Sequence, residues 1–233
     1  MSTKQSYSTL QSGYTEMLEL FDTIHFNSSV TKSVYLEHLD IDDSVVIPVT
    51  HSHLVDSRVK REFSDDKELN IMFIGNTTHY KGFPMLEKIL SGLNDNSVTN
   101  WKAQIWGANG VSSCKNICFN GKYAPKQLGE IYAEDSLLVV PSLWNETFSL
   151  VTLEALSYGI PVLVSSRVGA KDIVASYDKW FVFDTPVQLK DKIAELIADR
   201  SRLRSFNNSI ITQEWCHSIE SHCNEIINIY HKK

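Results

Sequence analysis

At about 150 residues per domain, a chain of 233 residues holds one large domain or two small ones, and it buries roughly 70% of its unfolded surface without a disulfide or metal staple. Hydrophobic residues make up 42% and charged residues 21%, which excludes the disordered and low-complexity classes. The net charge of −6, with no cluster of Lys and Arg, argues against nucleic acid or an anionic membrane surface as partner.

In chain order, apolar periodicity predicts a helix over 5–21, a strand over 23–26, and a helix over 29–39 capped by Ser28 or Ser29. A strand over 45–49 (VVIPV) follows. Residues 50–68 are polar and charged without a clear period, so they read as a linker between two bodies and as the main domain boundary. Thereafter short apolar runs alternate with amphipathic stretches. Strands are expected over 69–75, 102–107, 117–121, 136–142, 161–166 and 180–183, and helices over 83–93, 125–133 and 149–158, the last stopped by Gly159, with more helices from Pro186 onward. Near-continuous apolar strands alternating with helices imply a parallel sheet covered on both faces, a doubly wound, Rossmann-like α/β domain over 69–233. Ligands of such sheets sit at the carboxyl ends of the strands.

No apolar run reaches the ~18 residues of a membrane helix. The opening MSTKQSYSTLQSGY lacks the apolar core of a secretion signal. A cytoplasmic protein is expected, without a transmembrane segment and with Cys114, Cys118, Cys216 and Cys223 as reduced packing residues.

Two segments at predicted strand ends carry candidate chemistry. In 75–82, GNTTHYKG, two glycines and Lys81 lead into a helix, which suits either a phosphate loop or a turn with a surface lysine. It matches neither the dinucleotide glycine fingerprint nor a P-loop, which disfavours a nicotinamide-dependent enzyme. In 141–163, PSLWNETFSLVTLEALSYGIPVL, Glu146 precedes a helix and Glu154 lies inside it, ~7 Å along the axis from Ser149. The free amides of the first turn, from about Phe148 to Val151, and the helix dipole make an anion site between the two carboxylates. A pyrophosphate with hydroxyl-bearing groups on both sides, as in a nucleotide sugar, fits that arrangement. Glu146 also reads as a solvated acid favouring the dipole. For Glu154, flanked by Leu150, Val151, Leu153, Ala155 and Leu156, an unliganded carboxylate is costly.

From Leu69 to about Tyr230 the sequence resembles the donor-binding domain of family 4 (group 1) retaining glycosyltransferases of the two-Rossmann-domain, GT-B class. The family's typical context P-S-x-x-E-x-F-(G/S)-L-x-x-x-E-A-(L/M)-x-x-G-x-P-V, met here with one further residue between Ser142 and Glu146, carries the likeness through Glu146 and Glu154. The resemblance implies that Glu146 contacts donor-sugar hydroxyls near the reacting carbon and that Glu154 holds the ribose. Amides of Phe148, Ser149 and Leu150 then bind sugar and phosphates, Gly75 and Asn76 line the donor site, and Lys81 neutralises the pyrophosphate. Lys122 and Tyr123, within FNGKYAPKQL, flank the base.

It further implies a hexosyltransferase-type reaction of a nucleotide sugar, such as a UDP-sugar, with a glycan or lipid-linked acceptor in polysaccharide synthesis. No metal and no cofactor are expected. Three departures stand out: Asn76 replaces the usual arginine, Ser149 replaces glycine, a mild change at a helix start, and residues 1–49 resemble only a remnant of the acceptor-binding domain, linked by 50–68. The role of the family's histidine is therefore not carried to His25, His51 or His53. A partner chain supplying the remaining half, or self-association, is expected, as is the alternative of a non-catalytic nucleotide-sugar-binding subunit, active or tethered at the membrane only through a partner.

Weaker constellations are read as structural. His51 and His53 read as solvated linker residues, and Cys216 and Cys223 as sharing a helix face with Ile219 and Ile226. Asp40-Ile41-Asp42 reads as a turn. Trp101, Trp106, Trp144, Trp180 and Trp215 read as core or pocket wall.

Overall fold

The computed structural model describes residues 3–96 and 98–231. A six-stranded, wholly parallel sheet forms the centre: β3 (Leu69–Ile74), β4 (Trp101–Trp106), β5 (Ile117–Gly121), β6 (Ser136–Val140), β7 (Val162–Ser165) and β8 (Val182–Phe183), in spatial order β5-β4-β3-β6-β7-β8. Every residue of β3, β6 and β7 is buried, the burial on both faces that a doubly wound sheet imposes. α3 (Phe83–Asp95) packs against α7 (Pro186–Ala198), and α6 (Lys171–Asp178) against α8 (Ser201–Thr212). The order runs outward from β3 to β5, then restarts beside β3 with β6. The loops after β3 and β6 therefore diverge at the topological switch point, where a ligand crevice opens in such sheets.

Ahead of this sheet, α1 (Thr3–Leu18) precedes a parallel pair, β1 (Ile24–Phe26) and β2 (Ser44–Val46), joined through α2 (Ser29–Leu36). The Ser28 hydroxyl caps α2 by accepting from the N–H of Thr31 at 3.1 Å, and it donates to the Thr147 carbonyl at 2.6 Å. That second bond ties the N-terminal segment to the loop after β6, and the contact of Ser29 on Asp172 ties it to the first turn of α6. β2 ends at Val46, and Ile47 still donates to Phe26 at 2.9 Å before Pro48, which has no N–H to continue the ladder. Asp40-Ile41-Asp42 lies in irregular chain before β2.

Residues 50–68 contain no helix or strand, yet they lie along the body. Leu54 and Phe63 are buried in its core. Arg61, 5% exposed, donates to the carbonyls of Tyr132, Ala133, Glu134 and Tyr158 and faces Asp135 at 3.6 Å. Asn207 closes the same joint, bonding Arg61, Val59 and Gly159.

Several sequence expectations are corrected. α6 has no counterpart among the predicted elements. Residues 179–181 form a 3₁₀ turn, so only two residues of the expected strand over 180–183 pair in the sheet. The helix expected over 125–133 is a 3₁₀ turn followed by α4 (Leu128–Ile131). Cys114 is buried, but Cys118, Cys216 and Cys223 are exposed. Cys216 precedes the start of α9 (Ile219–Tyr230), and α9 buries none of its residues, so no apolar face gathers these thiols. Trp144, 64% exposed, is pocket wall and not core: with Tyr35 and Arg167 it lines a surface cleft.

Candidate functional site

The site grows from two strand ends and one helix. β3 runs into Gly75, whose φ of +142° turns the chain away from the sheet. Gly82, at φ +75°, lets the same loop close onto the loop after β6, for a Cβ there would stand 1.9 Å from the Pro141 carbonyl oxygen. The two loops are also joined by the N–H of Leu143 donating to the Tyr80 carbonyl at 2.9 Å and by the edge-on contact of Tyr80 with Trp144 at 5.7 Å. Lys81 thereby meets Glu146: its Nζ lies 2.6 Å from Oε1. The Ser142 hydroxyl donates to Oε2 at 2.5 Å. Backbone bonds fix Glu146 from behind, its N–H donating to Arg167 and its carbonyl accepting from Gly169, both at 2.9 Å. Each carboxylate oxygen is held by one side chain, and the charge is balanced by a lysine that is itself 43% exposed.

After Glu146 the chain enters α5 (Leu150–Ser157) through Ser149, which takes φ +107°, ψ +87°. This backbone region is rarely adopted by a side-chain-bearing residue and costs roughly 1–3 kcal/mol. The serine in place of glycine is therefore a strained substitution and not a mild one. Its hydroxyl accepts from Thr152 Oγ1 at 3.1 Å and does not cap the helix. Among the described residues, the N–H groups of Phe148, Ser149, Leu150 and Val151 donate no hydrogen bond, and no acid occupies the first turn to neutralise them. They form a run of positively polarised donors at the dipole's N-terminal end.

Glu154 sits one turn into α5, on a helix whose neighbours Thr152, Leu153, Ala155, Leu156 and Ser157 are all buried. Its side chain is 16% exposed, and Oε1 lies 3.5 Å from Nε2 of His51. Oε2 is buried with no hydrogen-bond partner among the described residues. Burial pushes the Glu154 carboxyl above its ordinary range, and His51 opposes that shift. Close enough to feel the Glu154 charge are Tyr123, set edge-on to Trp106, and Tyr132, stacked on Tyr158; the Tyr132 hydroxyl is buried without a hydrogen-bond partner among the described residues. Burial, then the Glu154 charge, raises both phenols.

The structure thus brings Lys81 to Glu146 and sets Tyr123 within reach of the Glu154 charge, and the free amides of Phe148, Ser149 and Leu150 lie between the two glutamates along the chain. Asn76 and Lys122 are exposed, without side-chain partners among the described residues. His51, expected as a solvated linker residue, is corrected: it reaches the second glutamate. Ser142 lay inside the motif without an assigned role, and Tyr132 carried no signal. Among the described residues no three His, Cys, Asp or Glu side chains cluster as metal ligands would, and no helix is long and apolar enough to cross a membrane.

The profile of the family described as Glycosyl transferases group 1 matches residues 56–212, the sheet with both glutamates and Lys81. The chain belongs to this family. Among curated proteins, this group 1 glycosyltransferase chain is 26% identical over 115 residues to an uncharacterized 41.2 kDa protein in the cps region of Klebsiella pneumoniae, covering 47% of the chain and 31% of that protein. It is 28% identical over 120 residues to the uncharacterized glycosyltransferase MJ1607 of Methanocaldococcus jannaschii, covering 47% and 30%. The matches span about a third of these relatives' length. Among solved structures, Anabaena Alr3699/HepE in complex with UDP superposes with a TM-score of 0.76 at 15% identity, over 100% of the chain and 70% of that protein. At this identity the likeness establishes the GT-B glycosyltransferase fold of the sheet domain.

Proposed function

We propose that this group 1 chain is the donor-binding part of a retaining, metal-independent glycosyltransferase of the family 4 type, which takes a nucleotide sugar and passes a hexose to a glycan or lipid-linked acceptor. The observation that carries the reading is the orphaned Oε2 of Glu154, a buried acceptor on the helix whose N-terminal amides are free. A ribose diol donates to such a carboxylate, and the diphosphate then lies over the amides of Phe148, Ser149 and Leu150. That a protein of the same fold is known in complex with UDP is in keeping with a nucleotide ligand.

On this reading the acceptor hydroxyl oxygen bonds to the anomeric carbon as the anomeric carbon–phosphate oxygen bond breaks, and the hydroxyl proton passes to the departing diphosphate. Lys81 and the dipole of α5 stabilise the charge that grows on that leaving group. Glu146 accepts hydroxyls of the donor sugar, and Ser142 and Lys81 hold it in one rotamer. Asn76 supplies no charge, so Lys81 is the principal cation of the loop.

A second reading, a nucleotide-sugar-binding subunit dependent on a partner chain, is favoured by the apolar surface of the N-terminal segment, where Tyr7, Leu10, Tyr14, Leu20 and Phe21 are each more than half exposed. Incubation of the purified chain with a panel of nucleotide sugars, followed by chromatography of the released nucleoside diphosphate, tests both. The transferase reading expects turnover that Glu146→Ala abolishes. Binding without turnover by the wild-type chain, with turnover on addition of a second chain, selects the other.

A further inference from the structure

The family match begins at residue 56, yet His51, ahead of it, delivers an imidazole to a buried acid of the site. Four observations bear on His51. Its Nε2 lies 3.5 Å from Glu154 Oε1, within ion-pair distance and a few tenths of an ångström longer than a well-formed N–H···O bond. Its Nδ1 accepts from the backbone N–H of His53 at 3.1 Å, so the neutral ring carries its proton on Nε2, toward the carboxylate. The ring is braced by His53 at a centroid distance of 5.8 Å. The other carboxylate oxygen, Oε2, is without a partner among the described residues.

Resting on the donor-binding reading above, we infer that His51 is a positioning residue for the nucleotide: its Nε2–H fixes one oxygen of Glu154 so that the other is presented to the ribose diol. The alternative arrangement, with the proton on Nδ1, sets that N–H against the N–H of His53 and turns an unprotonated nitrogen toward the carboxylate. The tautomer and the rotamer of Glu154 are thus set together from a segment outside the sheet.

The arrangement has a pH signature. The titratable groups facing Glu154 are His51, Tyr123 and Tyr132, with His53 behind His51. The two phenols stay neutral through the working range, so the ionisation of Glu154 responds to His51. Diol binding needs the carboxylate, and it weakens as pH falls through the Glu154 titration. Without His51, burial acts unopposed and that weakening moves to higher pH.

The test measures binding of UDP, ADP, GDP and TDP by calorimetry from pH 5 to 8.5 for the wild type, His51→Ala and His51→Gln, following the diphosphate that binds most tightly. His51→Ala is expected to lose about ten-fold in affinity at pH 7.5, the scale of one hydrogen bond to a charged group, and to shift its pH midpoint upward. His51→Gln, whose amide N–H replaces Nε2–H, recovers most of that loss. Identical pH profiles for all three proteins overturn the role of His51 and leave the donor site standing. Failure of the wild type to bind any of the four overturns both. Nitrogen NMR of the histidine rings in the wild-type chain reads the tautomer without any variant: a proton on Nε2 supports the inference, and a proton on Nδ1 contradicts it.

Discussion

Gly82→Ala tests whether the close approach of two loops places the charged pair. The wild-type φ of +75° costs a residue with a Cβ about 1–2 kcal/mol. The added carbon also falls 1.9 Å from the Pro141 carbonyl oxygen, roughly 1.5 Å short of the 3.4 Å at which ordinary contact begins. Backbone cannot rotate away as a side-chain tip does, so the loops must part by a comparable distance, carrying Lys81 off Glu146. Stability is expected to fall by at least 2 kcal/mol, about 5 °C in Tm for a chain of this length. Because misplacement by 1 Å can cost about a hundred-fold in rate, nucleotide-sugar turnover should fall by at least that factor. The control is Gly92→Ala inside α3, where a Cβ meets nothing within 4 Å. It should raise stability by about 0.5–1 kcal/mol and leave turnover unchanged. Thermal unfolding and turnover are measured on the same samples. A Gly82→Ala protein with wild-type Tm and wild-type turnover would refute the argument that loop contact sets the site.

Three further outcomes follow from particular residues. Glu154→Gln removes an acid whose native pKa is raised by burial. The native state binds that proton more tightly than the unfolded chain, so wild-type stability declines as pH rises from the ordinary glutamate range, near 4.3, through the higher native value. The variant should lack this decline in urea titrations at successive pH values and should be at least as stable at pH 7 while binding nucleotide more weakly; equal slopes contradict the assignment. Arg61→Met leaves the carbonyls of Tyr132, Glu134 and Tyr158 without their donors, and by the cost of breaking a buried charged network it should lose about 3 kcal/mol or more, roughly 10 °C in Tm. With a thiol reagent under native conditions, Cys118, Cys216 and Cys223 should react quickly and Cys114 only on unfolding, as peptide mapping would show.

The sheet was legible because its strands are short, apolar and bounded by turn residues, and burial on both faces leaves that pattern undiluted in 69–75, 136–142 and 161–166. α6 escaped because KDIVASYD buries only two adjacent residues, Ile173 and Val174, which gives no helical period. The pairing of Lys81 with Glu146 links residues 65 positions apart, and it was foreseeable only in outline, from two loops at strand ends in one sheet. The role of residues 50–68 was not legible at all. Arg61 and His51 act singly, through contacts with Tyr158 and Glu154 about a hundred positions along the chain, and isolated polar residues in an aperiodic stretch look like solvated linker. Ser149 announced its identity but not its positive φ, which emerges only where the loop after β6 must turn onto α5. The cysteines misled because spacing of seven suggests one helix face, whereas the helix begins after the first of them.

The central claim is that Glu154 and the free amides of α5 hold the nucleoside diphosphate half of a sugar donor. Calorimetry of UDP, ADP, GDP and TDP against the wild-type chain and Glu154→Ala, with folding verified by thermal unfolding, tests it most directly. At least one diphosphate is expected to bind the wild type, and Glu154→Ala to weaken it at least ten-fold, a difference of about 1.4 kcal/mol. Equal affinity in the two folded proteins, or no binding by the wild type to any of the four, would contradict it.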